Sequence, residues 1–133
     1  MNTKILMTFI SLMLAAAGII ALFVPDQLMT LLNVPRSDSL LVVIQLMGAL
    51  YFSFALMNWT AKDSAIGGIY ARPVSLANFS HFLIGTLLLI KYQLSHPFSL
   101  PITLALVVYT MFASLFYWLV FHATGIVVPK SEE

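Results

Sequence analysis

LLVVIQLMGALYFSFALMNW, residues 40–59, runs for twenty positions without an Asp, Glu, Lys or Arg. Three other segments share this property: Ile5–Val24, Val74–Ile90 and Phe98–Phe121. A bilayer core about 30 Å thick takes about 20 helical residues, and about 17 is the lower limit. All four segments reach it, the third only just. They are continuously apolar, whereas the strands of a membrane barrel alternate over about 10 residues. The expected architecture is therefore all-α, a four-transmembrane-helix bundle formed as a single integral membrane domain over 1–133.

Composition agrees. Hydrophobic residues make up 61% of the 133 residues and charged ones only 8%, against about 25% charged in a soluble domain. Such a chain cannot cover a water-facing surface. The net charge of +1 provides no basic field for nucleic acid. With no cysteine, disulfides, thiol redox chemistry, Cys–zinc sites and a Cys nucleophile are excluded. At the N-terminus, Lys4, the apolar Ile5–Leu14 and Ala15-Ala16-Ala17 also resemble a cleavable signal peptide. The apolar run continues through Gly18–Val24 to spanning length, which favours a retained span.

The connections are short. Pro25-Asp26 opens the first and Pro35 closes it; DQLMTLLNV between them has two readings. It can form a short interfacial helix capped by Asp26, with Leu28, Met29, Leu31 and Leu32 toward lipid or protein, or a tight apolar connector. His96-Pro97 and Pro101 mark the entry to the last span, where Pro is tolerated in a first helical turn. Lys4, Lys62, Arg72 and Lys130 lie on one side of the implied topology, against Arg36 and Lys91 on the other. The excess of four over two predicts cytoplasmic N- and C-termini. Trp59, Tyr70 and Trp118 fit an aromatic belt on that side.

Polar residues concentrate in ALMNWTAKDSAIGGIYARPVSLANFSHF, residues 55–82. Part of this is the hairpin between spans two and three: Lys62 and Asp63 in water, a bend at Gly67-Gly68, and Pro73 opening a helix. Arg72 is a candidate lipid-headgroup residue, with a snorkelling anchor as the plainer alternative. The rest falls within the membrane. Asn78, His81 and Gly85 share one face of the third span. Thr103, Thr110, Ser114 and Tyr117 form a stripe on the fourth. The second presents Gln45, Gly48, Ala49 and Phe52 on one face, and the first carries a small-residue seam of Ser11, Ala15 and Gly18. Small residues permit close approach and polar ones bond between helices, so these faces are expected to point inward.

At about 1.5 Å of rise per residue, His81 lies roughly 10 Å from the inner boundary, with Ser53 and Ser114 nearly level and Asn78 and Tyr117 about 6 Å in. The candidate ligand-binding cluster is thus Ser53, Asn78, His81, Ser114 and Tyr117, with Asn58 at its mouth. His81 is the one ionisable side chain well inside a span, tyrosines aside, and such residues are functional candidates. Its plainer role is a neutral His that ties helices together. A Ser114–His81 hydrolytic dyad lacks an orienting acid in the membrane. Paired haem ligation lacks a second His at matching depth, and no metal site is expected. Proton-coupled export normally uses a membrane carboxylate, and no span has one.

The Pro-bounded connector VPDQLMTLLNVP after the first span, the second span LVVIQLMGALYFSFALMNW and the short loop into the third resemble the DoxX-like small four-helix membrane proteins. That resemblance implies a bacterial inner-membrane protein with a non-catalytic partner or ligand-binding role rather than an independent enzyme. Its alternative is an accessory subunit of a quinone-linked oxidoreductase, with quinone as the cofactor. A small oligomeric transporter is a further alternative. The expected partners are the bilayer and either a membrane protein or further copies of the chain; nucleic acid is not among them.

Overall fold

The computed structural model describes residues 3–63 and 72–122. The described chain is all-helical: α1 (Thr3–Phe23), α2 (Pro25–Leu31), α3 (Asp38–Ala61), α4 (Arg72–Ser95) and α5 (Leu100–His122). The bend expected at Gly67-Gly68, Tyr70 and the tail bearing Lys130 lie outside the described residues. Helices α1, α3, α4 and α5 are long and apolar enough to cross a membrane. Each outruns its apolar segment at one end or both, because a helix keeps satisfying its own backbone until a breaker intervenes. The third span shows this most clearly, continuing past Lys91 to Ser95. His96 Nδ1 then lies 3.0 Å from the Tyr92 carbonyl, and the His96 ring stacks on Tyr92 at 4.0 Å. Since a carbonyl only accepts, Nδ1 carries the proton and caps the helix end.

The chain divides into two compact units, Met1–Asp63 and Ser64–Glu133. In the first, α1 and α3 form an antiparallel hairpin. Lys4 meets Asp63, Ser11 Oγ donates to the Ala55 carbonyl at 2.7 Å, and Gln45 Nε2 donates to the Leu22 carbonyl at 3.3 Å. Between them Gly18 faces Gly48. A Cβ on Gly18 would sit 2.8 Å from the Gly48 carbonyl oxygen, and one on Gly48 would sit 2.9 Å from that of Gly18. Backbone touches backbone here, so neither position has room for a side chain. The small-residue seam read from the sequence is this contact.

α2 interrupts the hairpin at one end. Pro25 restricts Val24 to a non-helical conformation (φ −132°, ψ 45°), which ends α1, and Pro25 itself opens α2. Val24 is therefore the N-cap residue, and Asp26 lies inside the first turn rather than capping it, contrary to expectation. The Asp26 carboxylate instead pairs with Arg36 Nε at 3.4 Å. α2 ends in a Schellman motif. Asn33 adopts φ 53°, the Asn33 N–H bonds to the Thr30 carbonyl, and the Val34 N–H bonds to the Met29 carbonyl. Asparagine tolerates that left-handed position better than most residues.

The second unit packs differently. Phe82 of α4, fully buried, makes ring contacts with Tyr109 (5.2 Å), Phe112 (5.0 Å) and Phe116 (6.1 Å) of α5. One aromatic knob thus fills the seam that two glycines close in the first hairpin.

Two outcomes follow. Gly18→Ala and Gly48→Ala each force the helices apart and destabilise the first hairpin by about 1–3 kcal/mol, the usual range for overpacking, whereas Ala17→Leu on the exposed side of α1 is neutral. Unfolding in mixed micelles monitored by circular dichroism measures both. At the other end of that hairpin, the hydrogen bond from the Lys4 ammonium at 2.7 Å holds the Asp63 carboxyl below its ordinary pKa of 3.8, opposed by slight desolvation and aided by the charges of Lys4 and Lys62. A depressed carboxylate stabilises the fold fully above its unfolded-state pKa and loses that contribution as pH falls through the folded-state value. Acidification below pH 3.8 should thus weaken wild-type protein slightly more than Asp63→Asn; both side chains are exposed, so the difference is small.

Candidate functional site

The polar core of the second unit starts on α4. Ser75, Asn78, Phe82 and Thr86 recur at helical spacing and are its buried residues. Asn78 is fully buried and donates through Nδ2 to the Val74 carbonyl at 2.8 Å. One turn on, His81 is half-buried, its ring against Phe82 (5.1 Å) and Tyr109 (5.5 Å). The Tyr109 hydroxyl lies 3.4 Å from His81 Nε2. This is long for a hydrogen bond to nitrogen, and its direction depends on which imidazole nitrogen holds the proton.

Gly85 makes that contact possible. A Cβ there would collide with Cε1 and Cδ1 of the Tyr109 ring. The phenol ring occupies the notch that the missing side chain leaves, and its hydroxyl comes to lie beside His81. The pairing combines a group that both donates and accepts with an imidazole that does one at each nitrogen. Both rings contact Phe82, so two hydrogen-bonding groups lie beside an apolar surface.

Sequence reading missed Tyr109 and chose the neighbouring stripe. The surface of α5 applied to α4 carries Tyr109, Phe112 and Phe116. Thr110 and Ser114, expected to point inward, are exposed, and their hydroxyls donate to the carbonyls of Leu106 (2.8 Å) and Thr110 (2.9 Å) on their own helix. A hydroxyl satisfied four residues back does not require a polar neighbour, so ring packing sets the rotation of α5. Tyr117 is 49% exposed, flanked by Phe79 (6.0 Å), Phe121 (4.9 Å) and His122 (5.9 Å). The signal that would have found Tyr109 is its i, i+3, i+7 spacing with Phe112 and Phe116.

In the first unit Asn58 is fully buried and donates to the Phe54 carbonyl at 2.9 Å, as Asn78 does to Val74 in the second. Ser53 is exposed and donates to the Ala49 carbonyl at 2.9 Å. Gln45, also exposed, holds α3 to the end of α1. Arg72 is the exposed first residue of α4. Lys62 lies over the Trp59 ring at 3.1 Å, a cation–π contact just past the end of α3. Among the described residues no three His, Cys, Asp or Glu side chains are grouped to hold a metal ion.

Four span-length apolar helices define the class: the chain is a multi-pass integral membrane protein. No protein-family model matches it, and comparisons with curated proteins and with solved structures find no match either.

Gly85→Ala should displace the Tyr109 ring and separate its hydroxyl from His81 while leaving the Phe82–Phe112 contact and the hairpin in place. The imidazole resonances of His81 in a selectively labelled sample report this. They should shift similarly in Gly85→Ala and Tyr109→Phe, and much less in Ser114→Ala.

Proposed function

We propose that this protein is a non-catalytic binding or accessory protein of the bacterial inner membrane, with cytoplasmic termini. In this reading the His81–Tyr109 pair, with Asn78 one turn away, receives the polar end of a small lipid-like ligand or a hydrogen-bonding group of a membrane-protein partner. The observation that carries it is the seating of Tyr109 in the Gly85 notch with its hydroxyl 3.4 Å from His81 Nε2. Ionisable side chains inside spans are expensive and concentrate at functional positions. At that length the bond gives up little when a ligand group inserts between its partners. The apolar rings around the pair offer an amphipathic ligand contact along its tail. Tyr117 and Ser114 of the same unit are secondary candidates for ligand contact, and Arg72, exposed at the start of α4, for a lipid phosphate.

Native mass spectrometry of protein released from mild detergent tests the proposal. Wild-type protein should retain a small amphipathic molecule or a membrane subunit. His81→Leu should lose it, with helical content and unfolding midpoint preserved, and Tyr109→Phe should weaken retention about three- to tenfold, as expected for one hydrogen bond. A retained quinone would favour the oxidoreductase-accessory alternative, and solute exchange in liposomes by pure protein would favour a transporter. Equal retention by wild type and His81→Leu would remove the pair from any binding role.

A further inference from the structure

The short helix α2 divides its surface into three sectors. At about 100° of turn per residue, Pro25 and Met29 share one direction, and both are buried against the first hairpin. Asp26, Gln27 and Thr30 lie together on a second side and are exposed. Leu31, Leu28 and the helix-ending Leu32 occupy the remaining flank. Leu28 is half-buried, whereas Leu31 and Leu32 are 58% and 39% exposed. The apolar arc of α2 is therefore wider than the surface the protein covers. Phe23, just before the helix, and Val34, just after it, are exposed as well.

Position supplies the occupant. α1 and α3 each cross a membrane's thickness and α2 joins them, so α2 sits at a bilayer boundary. The uncovered leucines lie in the chain between the exposed Phe23 and Val34, and the polar flank carries Asp26 paired with Arg36. A water-bathed connector would gain nothing from Leu31 and Leu32. A helix at the headgroup–acyl boundary needs one apolar and one polar flank.

We infer that α2 is an interfacial helix whose Leu31–Leu32 flank docks into the bilayer at the headgroup–acyl boundary, with Asp26, Gln27 and Thr30 facing water. The inference is independent of any role for His81. Because the chain has no cysteine, single nitroxide labels at Gln27→Cys, Thr30→Cys, Leu31→Cys and Leu32→Cys report on it without background. The full-length protein is placed in phosphatidylcholine nanodiscs, and label collisions with oxygen and with an aqueous nickel chelate are compared. At positions 31 and 32 the oxygen-to-nickel ratio should exceed that at 27 and 30 several-fold. Similar nickel access at all four positions would make α2 a water-bathed connector. Low access to both reagents at 31 and 32 would mean that protein covers them. Either result overturns the inference. Should a label disturb folding, Leu31→Met gives a second readout: its methyl resonance should be broadened by a lipid-borne nitroxide and not by the nickel chelate, and the reverse pattern would overturn the inference equally.

Discussion

Within a bilayer there is no water to complete a hydrogen bond, so polar groups in the spans must find partners in protein. The backbone solves this by forming helices. Many side chains solve it the same way, by turning back on their own helix. Ser53, Asn58, Asn78, Thr86, Thr110 and Ser114 all donate to the carbonyl four residues earlier. A hydroxyl satisfied locally places little demand on its surroundings, whereas the buried Asn58 and Asn78 amides have further polar atoms to satisfy. The hydroxyls of Ser53, Thr110 and Ser114 therefore do not by themselves say which way a helix faces, and all three are exposed.

Close packing decides that instead. Lipid tails are as apolar as leucine, so helices associate through van der Waals fit and a few interhelical bonds rather than through escape from water. The two hairpins reach that fit by opposite means. In the first, Gly18 and Gly48 remove side chains so that backbones meet, with Ser11 and Gln45 adding bonds between the helices. In the second, Phe82 inserts among Tyr109, Phe112 and Phe116, and a notch at Gly85 is filled by the Tyr109 ring. The candidate site follows from this second packing. Tyr109 reaches His81 because its ring fits where Gly85 has none, and the long hydroxyl–imidazole contact results from how the rings settle.

These arrangements explain what could and could not be read in advance. The four spans were legible because length and absence of charge are properties of a segment alone. The seam of Ser11, Ala15 and Gly18 was legible because small size is as well. His81 and Asn78 stood out as candidates because a polar side chain within an apolar run is conspicuous. Tyr109 was not, since a tyrosine among aromatics looks like ordinary packing until its neighbour across the hairpin is known. The α5 stripe of Thr110 and Ser114 misled because its hydroxyls needed no partner elsewhere.

Composition and segment length alone determined that this chain forms long apolar helices, that a connection opens at Pro25, and that an imidazole lies within a span; that this connection is helical came from the structure. Tertiary structure decided which α5 face meets α4, that Asp26 pairs with Arg36 rather than capping α2, and that a phenol lies beside the imidazole. The reason is one of range. Hydropathy and helix breaking act within a few residues, whereas the fit of a ring into a notch requires two helices distant in sequence to be placed side by side.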